Sequence, residues 1–384
     1  MIKLNKDVLY LIFEELQDDE KTLRSCIFIN KTWCETSIPI LWRDPWKSLK
    51  RDKEKSLLNV IISHLSDESR RMLMKRKLLK KSHRHRNPLF SYINFCRHLN
   101  LIVIQRMIFN NYKKSKISII QKEIFNLFIN GNTKITHLYI PNKFEYQINL
   151  IPGVKRCFSE IEFLRCNTSI NDKVLAGISF ANLKVLELDN DYYRILTGNY
   201  LENLSLHFLQ ILSASRVPVK TLTSLIENTN GNLIEIKIEY VSHDGMNNKK
   251  IIQAIYQNCP NLKYLKLLFR NSNIIELENL LINCQHLVGL FVIGSTADVF
   301  DWDKLFETLT RSSPISLFKF KFYSYLPPKL ESLKLFFDNW KNRHPMLLQV
   351  SRMKNTEDMV EKYKAEGIIK KYKNCLYGKD FAWT

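Results

Sequence analysis

The chain has 384 residues, 45% hydrophobic and 25% charged, with only 10 Gly and 11 Pro, so it can bury a sizeable core and has little material for long flexible linkers. Lys and Arg number 58 against 38 Asp and Glu, a net charge of +20 that favours acidic partners or nucleic acid and says nothing about fold. No apolar run is long enough to span a bilayer, and a start with Lys3, Lys6 and Asp7 before the apolar stretch, without a small-residue cleavage site, does not read as a secretory signal.

Residues 4–42 carry the densest helical pattern. Apolar residues at Val8, Leu9, Ile12, Phe13 and Leu16 predict one sticky face, with Asn5 as N-cap and Asp7 near the positive end of the helix. Asp18, Asp19 and Glu20 break the pattern and open a second helix with Leu23, Cys26, Ile27 and Ile29. Residues 31–37 fit a third, anchored by Trp33 and stopped by Pro39, with Leu41 and Trp42 following. Three helices in about forty residues do not easily bury this many large side chains. The segment either packs on the rest of the chain or keeps an apolar face for a partner.

These residues resemble an F-box. The likeness rests on Leu4, Asp7, Leu9, Ile12, Phe13 and Leu16, then Leu23, Cys26 and Ile29, then Asn30-Lys31-Thr32-Trp33 and Leu41-Trp42. F-boxes usually begin Leu-Pro, whereas here Leu4 is followed by Asn5. The resemblance implies docking on the small adaptor of a cullin–RING ubiquitin ligase. It assigns adaptor binding to Leu4, Leu9, Ile12, Phe13, Leu16, Leu23, Cys26, Ile29 and Trp33.

Residues 46–131 read as a basic helical spacer. Leu57, Leu58, Ile61, Ile62 and Leu65 form a helical face, and Ser66 with Asp67 and Glu68 opens a further helix. Nine Lys and Arg then lie between Arg70 and Arg86, with His83 and His85 among them. A solvated helix face is the plain reading; a nuclear-import or nucleic-acid patch is the functional one. No aromatic residue interleaves the run, which argues against base stacking. Past Asn87-Pro88 comes an apolar stretch with short extended pieces, a turn at residues 113–116 and a helix over 117–129.

From residue 132 one pattern recurs: apolar, two residues, apolar, one residue, apolar. It is found at Ile135-Leu138-Ile140, Ile161-Leu164-Cys166, Leu183-Leu186-Leu188, Leu206-Leu209-Ile211, Leu233-Ile236-Ile238, Leu262-Leu265-Leu267, Leu287-Leu290-Val292 and Ile315-Phe318-Phe320. The fourth can instead be phased on Leu201-Leu204-Leu206. A period in the twenties with this signature marks leucine-rich repeats, short strands alternating with helices. Cys259 and Cys284 hold equivalent places before two of the strands. Residues 132–352 are expected to form the repeat domain, and residues 353–384 a capping helix, over 357–373, and an aromatic tail. Positions flanking the core are expected on the concave face, where a target protein binds through Tyr139, Arg165, Glu187, Asp189, Gln210, Glu235, Lys237, Glu239, Tyr264, Lys266, Phe291, Lys319 and Lys321.

The eight cysteines lack CxxC spacing and read as reduced, buried thiols, placing the chain in cytoplasm or nucleus. No catalytic motif or zinc spacing is found, so no catalytic, metal or cofactor site is expected. The expected fold is α/β: an F-box-like domain (1–45), the spacer, then a curved solenoid with parallel strands inside and helices outside. Together these parts resemble the F-box/leucine-rich-repeat proteins. That family implies a non-catalytic substrate-recognition subunit of an SCF-type ligase, bound to the adaptor and through it to a cullin, with no membrane contact. The alternatives are a leucine-rich-repeat scaffold and a nucleic-acid-binding protein without a ligase role.

Overall fold

The computed structural model describes residues 4–79, 88–142, 144, 146–168, 170, 172–189, 201–239, 244–294 and 299–374. The later part of the basic run, with His83 and His85, and the tail with Cys375 lie outside them. The chain forms two compact units, Met1–Leu183 and Lys184–Thr384.

The first unit opens with α1 (Lys6–Glu15), α2 (Glu20–Cys26) and α3 (Lys31–Leu41). Each begins on a side-chain cap: Asn5 accepts from Asp7 N at 3.4 Å, Asp19 from Thr22 N at 3.1 Å and Asn30 from Trp33 N at 3.0 Å. Leu9, Phe13, Leu23, Cys26 and Ile40 form a common core, with Leu16, Trp33 and Leu41 against it. The Phe13 and Trp33 rings meet edge to face at 5.2 Å. Pro39 does not stop the third helix, contrary to expectation. It sits inside α3, and Trp42 N still donates to Ile38 O at 3.0 Å, because a proline near a helix end removes one bond without displacing those beyond it.

Next come α4 (Glu54–Ser63), α5 (Asp67–Lys75), α6 (Tyr92–Phe95), α7 (Leu101–Asn111) and α8 (Ile117–Phe128), each with an inward apolar side. Three strands cross this helical region and its sequel: β1 (His98–Asn100), β2 (His137–Tyr139) and β3 (Phe163–Asn167), joined in parallel as β1-β2-β3. Short helices α9 (Val154–Cys157) and α10 (Asp172–Leu175) complete the unit. β1 is one of the short extended pieces expected within the helical spacer, and at three residues it is too short for alternation to place.

A repeated backbone contact orders these strands. Thr136 N and His137 N both donate to Arg97 O, at 2.9 and 3.1 Å, and Glu162 N and Phe163 N both donate to Thr136 O, at 2.8 and 3.0 Å. Arg97 N and His98 N donate in the same way to Arg43 O, at 2.9 and 3.0 Å. The chain leaving α3 therefore stands where a preceding strand would, and seats the three-helix module on β1. Trp46, buried, locks the seat by donating from Nε1 to His98 O at 2.6 Å.

The second unit repeats strand and helix. Its order is β4 (Val185–Asp189), β5 (Ile211–Ser215), α11 (Val219–Glu227), β6 (Glu235–Glu239), α12 (Gly245–Asn258), β7 (Tyr264–Phe269), α13 (Ile274–Asn283), β8 (Gly289–Gly294), α14 (Trp302–Ser312), β9 (Lys319–Tyr323), α15 (Leu330–Asn339), β10 (Met346–Val350), α16 (Glu357–Ala365) and β11 (Ile369–Lys373). The strands pair in parallel in chain order from β4 to β11. Helices α11 to α15 pack on one another in sequence, a strand–helix solenoid in which each unit completes its neighbour's core. Inward positions such as Ile236 and Ile238, Leu265 and Leu267, and Leu290 and Val292 are essentially fully buried.

Two repeats are phased differently from the sequence reading. In the fourth, β5 buries Leu212 and Ala214, so the unit reads Leu209-Leu212-Ala214 and neither of the phasings from Leu206 or Leu201 holds. In the eighth, Leu317, Phe320 and Phe322 are buried while Ile315 is 93% exposed. The segment 357–373 is not one helix: Gly367, at φ +73°, ends α16 and lets β11 begin. Gly367 N donates to Lys364 O and Ile368 N to Tyr363 O, both at 3.0 Å, a Schellman closure.

Polar ladders tie successive repeats. Buried Asn273 donates to Gly245 O at 2.7 Å and to Asn248 Oδ1 at 3.0 Å, while Asn248 donates to Leu268 O at 2.7 Å. The Cys284 thiol points at Cys259 O, 3.6 Å away, and burial pushes its pKa up to about 12. Towards the C-terminal end rings replace aliphatics: Phe306 stacks on Phe336 at 4.7 Å, Phe320 meets Trp340 at 5.2 Å and Phe337 meets Tyr363 at 5.0 Å.

Candidate protein-interaction surfaces

Helix α1 is apolar on two sides. Leu9 and Phe13 turn inward. Leu4, Val8, Leu11 and Ile12, spaced as one helical stripe, turn out and are 51, 42, 62 and 44% exposed. The turn between α2 and α3 adds Phe28 at 87% and Ile29 at 55%. The core beneath is already filled, so these side chains are not waiting for an internal partner; exposed apolar groups so concentrated mark an interaction surface. Arg43 ties this helix down, bonding to both Glu14 and Tyr10, and the hydrogen bonds that Glu14 accepts from Arg43 and then from Tyr10 hold its carboxyl below its ordinary range.

Below the module lies a cleft of about 350 Å³ lined in part by Glu20, Arg43, Asp44, Lys47, His98, His137, Tyr139 and Phe163. In-register residues of β1, β2 and β3 stack their rings along its floor: His98 on His137 at 3.8 Å and 7°, His137 on Phe163 at 5.4 Å and 12°. Burial, then the neighbouring His98, pushes His137 down to about 4. The charges around it are matched: Lys47 with Asp18, Arg43 with Glu14 and Arg24 with Glu20 at 3.0 Å; His98 Nδ1 lies 3.1 Å from Asp44. No His/Cys/Asp/Glu group able to hold a metal occurs among the described residues. The cleft lies at the joint between the helical module and the strands.

The open face of the second unit's sheet changes sign along its length. β4 and β6 present Glu187, Asp189, Glu235 and Glu239 around Lys237, whereas β9 and β11 bring Lys319, Lys321, Lys371 and Lys373 into register across β10. Between the ends lies an interlocked set. Lys266 pairs with Glu239 and sits 4.8 Å from the Phe291 ring centre; Lys321 approaches the same ring at 5.9 Å. Tyr264 lies across Gly289, where a Cβ would be 2.8 Å from its Cδ1, and accepts from Lys319 Nζ at 3.3 Å. Gly289 is therefore small because a ring must cross it. Lys371 and Lys373 on β11 continue the basic end beside Leu347 and Gln349.

Most residues assigned to target binding lie on the open faces: Tyr139 and Arg165 in the first unit, and Glu187, Asp189, Glu235, Lys237, Glu239, Tyr264, Phe291 and Lys319 in the second; Lys266 and Lys321 share that face but are buried there, Lys266 against Glu239 and both against the Phe291 ring. Gln210 does not. It precedes β5, and its carbonyl accepts from Ile234 N and Glu235 N, a displacement that follows from the missed phase of that repeat. Among the residues assigned to the adaptor, Leu4, Ile12 and Ile29 are exposed, while Leu9, Phe13, Leu23 and Cys26 are core and Leu16 and Trp33 pack on it. Those six support the surface from below. Val8, Leu11 and Phe28 belong to the outward set and were not assigned, although the spacing of Leu4, Val8 and Leu11 carries the signal.

No family model matches the chain, and no curated protein does. Among solved structures, the leucine-rich repeat-containing protein LegL7 from Legionella pneumophila is similar at 15% identity and a TM-score of 0.40, over 65% of this chain and 85% of that one. The leucine-rich repeat itself is read from this chain's own ladder and core.

Proposed function

We propose that this protein is a substrate-recognition subunit of an SCF-type cullin–RING ubiquitin ligase. The three-helix start, F-box-like in its sequence, docks on the ligase adaptor and through it a cullin; the open sheet face holds a target protein. Ubiquitin transfer is left to other subunits, in cytoplasm or nucleus. The observation that carries this reading is the outward stripe Leu4, Val8, Leu11 and Ile12, with Phe28 and Ile29, on a module whose own core is closed. Asn5 departs from the proline an F-box usually has there, and its side chain caps the start of α1 instead. The bipolar, aromatic-laced sheet face suits a protein target carrying charges of both signs.

The test is co-expression with the adaptor and purification on the adaptor's tag. A stoichiometric complex is expected from the intact chain, and none from the Leu11→Asp/Ile12→Asp variant, whose thermal melting should match the parent. A soluble parent chain that never co-purifies would leave a leucine-rich-repeat scaffold as the better account.

A further inference from the structure

The charge of the chain is concentrated. Residues 69–122 contain fifteen Lys and Arg and no Asp or Glu, three quarters of the net +20. Three of these cations are structural. Arg70, 7% exposed, donates to Leu65 O at 2.9 Å and pairs with Asp67 at 3.3 Å. Arg97 bonds to Asn94 O and Cys96 O, both at 2.9 Å. Arg106 makes two bonds, at 2.9 and 2.6 Å, to the buried carboxylate of Glu54.

Seven others are less committed, Arg71 donating only from Nε to Asp67 O at 3.2 Å. Arg71, Lys75, Arg76 and Lys77 run along and past the end of α5; Lys113, Lys114 and Lys116 occupy the turn before α8. None has a carboxylate partner among the described residues, and all but the half-buried Lys116 are exposed. The fold brings the two groups together across 39 residues of sequence, with Lys116 Nζ donating to Lys77 O at 3.4 Å. Other cations of the same unit are matched one to one, among them Arg43–Glu14, Lys47–Asp18 and Lys134–Glu160. An unmatched cluster of one sign repels itself and is relieved by an anionic array.

We propose that this surface binds the phosphate backbone of nucleic acid without sequence preference. Its composition favours that occupant over an acidic protein. A stable protein interface needs a desolvated aromatic or aliphatic centre. The second group of cations is instead interrupted by the exposed Ser115 and preceded by the exposed Asn110 and Asn111, with Tyr112 half-buried beside it. Phe109, 51% exposed at the end of α7, is a single ring, too little for insertion at a lipid interface. Backbone binding needs only long cations released from internal pairing, and gains from the counterions they displace. The surface is separate from the outward stripe of α1, so the inference is independent of the ligase reading.

The full chain is titrated against fluorescein-labelled mixed-sequence RNA and duplex DNA, read by anisotropy between about 50 and about 200 mM salt. Affinity is expected to fall steeply with salt. The variant Lys75→Gln, Arg76→Gln, Lys77→Gln, Lys113→Gln, Lys114→Gln, Lys116→Gln should lose at least tenfold in affinity and about four units of the RNA salt slope. The smaller pair Lys75→Glu/Lys114→Glu, on exposed positions, should weaken binding if the larger variant misfolds. Lys371→Gln/Lys373→Gln, far along the chain, should change little. Absence of binding by the parent at low salt would overturn the proposal, as would binding that survives both patch variants. Binding of phosphatidylserine–phosphatidylcholine vesicles without binding of RNA or DNA would overturn it in favour of a lipid surface.

Discussion

Ile12 and Phe13 are neighbours with opposite duties. Phe13 fills the three-helix core against Trp33, so Phe13→Ala should cost about 3–5 kcal/mol and lower the melting temperature of the module. Ile12→Asp should leave melting unchanged and act only on partner capture. Unequal melting in the reverse order would mean the helix is rotated from the orientation described. The sequence shows that α1 is apolar but not which stripe turns inward, because Val8, Leu9, Leu11, Ile12 and Phe13 surround more than half of it. Trp33 decides, and its position relative to α1 is a tertiary fact. His137 offers a second residue-scale test. Its folded pKa of about 4 lies below the ordinary 6.5, so the unfolded chain binds more protons between those values. The stability it contributes is complete above pH about 6.5, falls as the pH drops and is lost below about 4. Urea midpoints across that range should show the fall, and His137→Phe, which copies the in-register Phe163, should flatten it.

At the scale of elements, glycines mark where the repeat gives way to a specific need. Gly289→Ala should force the Tyr264 ring off its path and break its contact with Lys319, weakening target binding while most stability is kept. Unchanged target binding would remove Tyr264 and Lys319 from the interface. Gly367→Ala meets no atom within 4 Å and costs only the left-handed backbone, about 1 kcal/mol, with faster amide exchange in β11 as the sign. The strands were legible wherever large aliphatics held all three core places, as at Leu262-Leu265-Leu267. They were misphased where Ala214 stood in for one of them, and where Ile315, an apolar residue at a turn, imitated a core position. Helix α16 was overextended because Ile368 and Ile369 keep the apolar count going past the glycine that ends it.

For the molecule as a whole, the repeat class was visible because it is written many times over, whereas the seating of the N-terminal module was not. That joint rests on the Arg43 carbonyl and Trp46, one backbone atom and one indole, which leave no periodic trace. In the second unit β11 pairs on one side only and β7 and β8 on both, so hydrogen exchange should proceed fastest in β11 and slowest in β7 and β8. Uniform protection would instead indicate a single cooperative block.

The backbone contact that opens each strand has a further consequence. For most strands the acceptor lies earlier in the chain, as Arg43 serves residues 97 and 98, or Lys263 serves residues 288 and 289. A ribosome delivers these parts in the order in which they are needed, so these strands do not have to wait exposed for a template still to be translated. Within each unit growth runs in one direction, like a zip closed by its own extrusion.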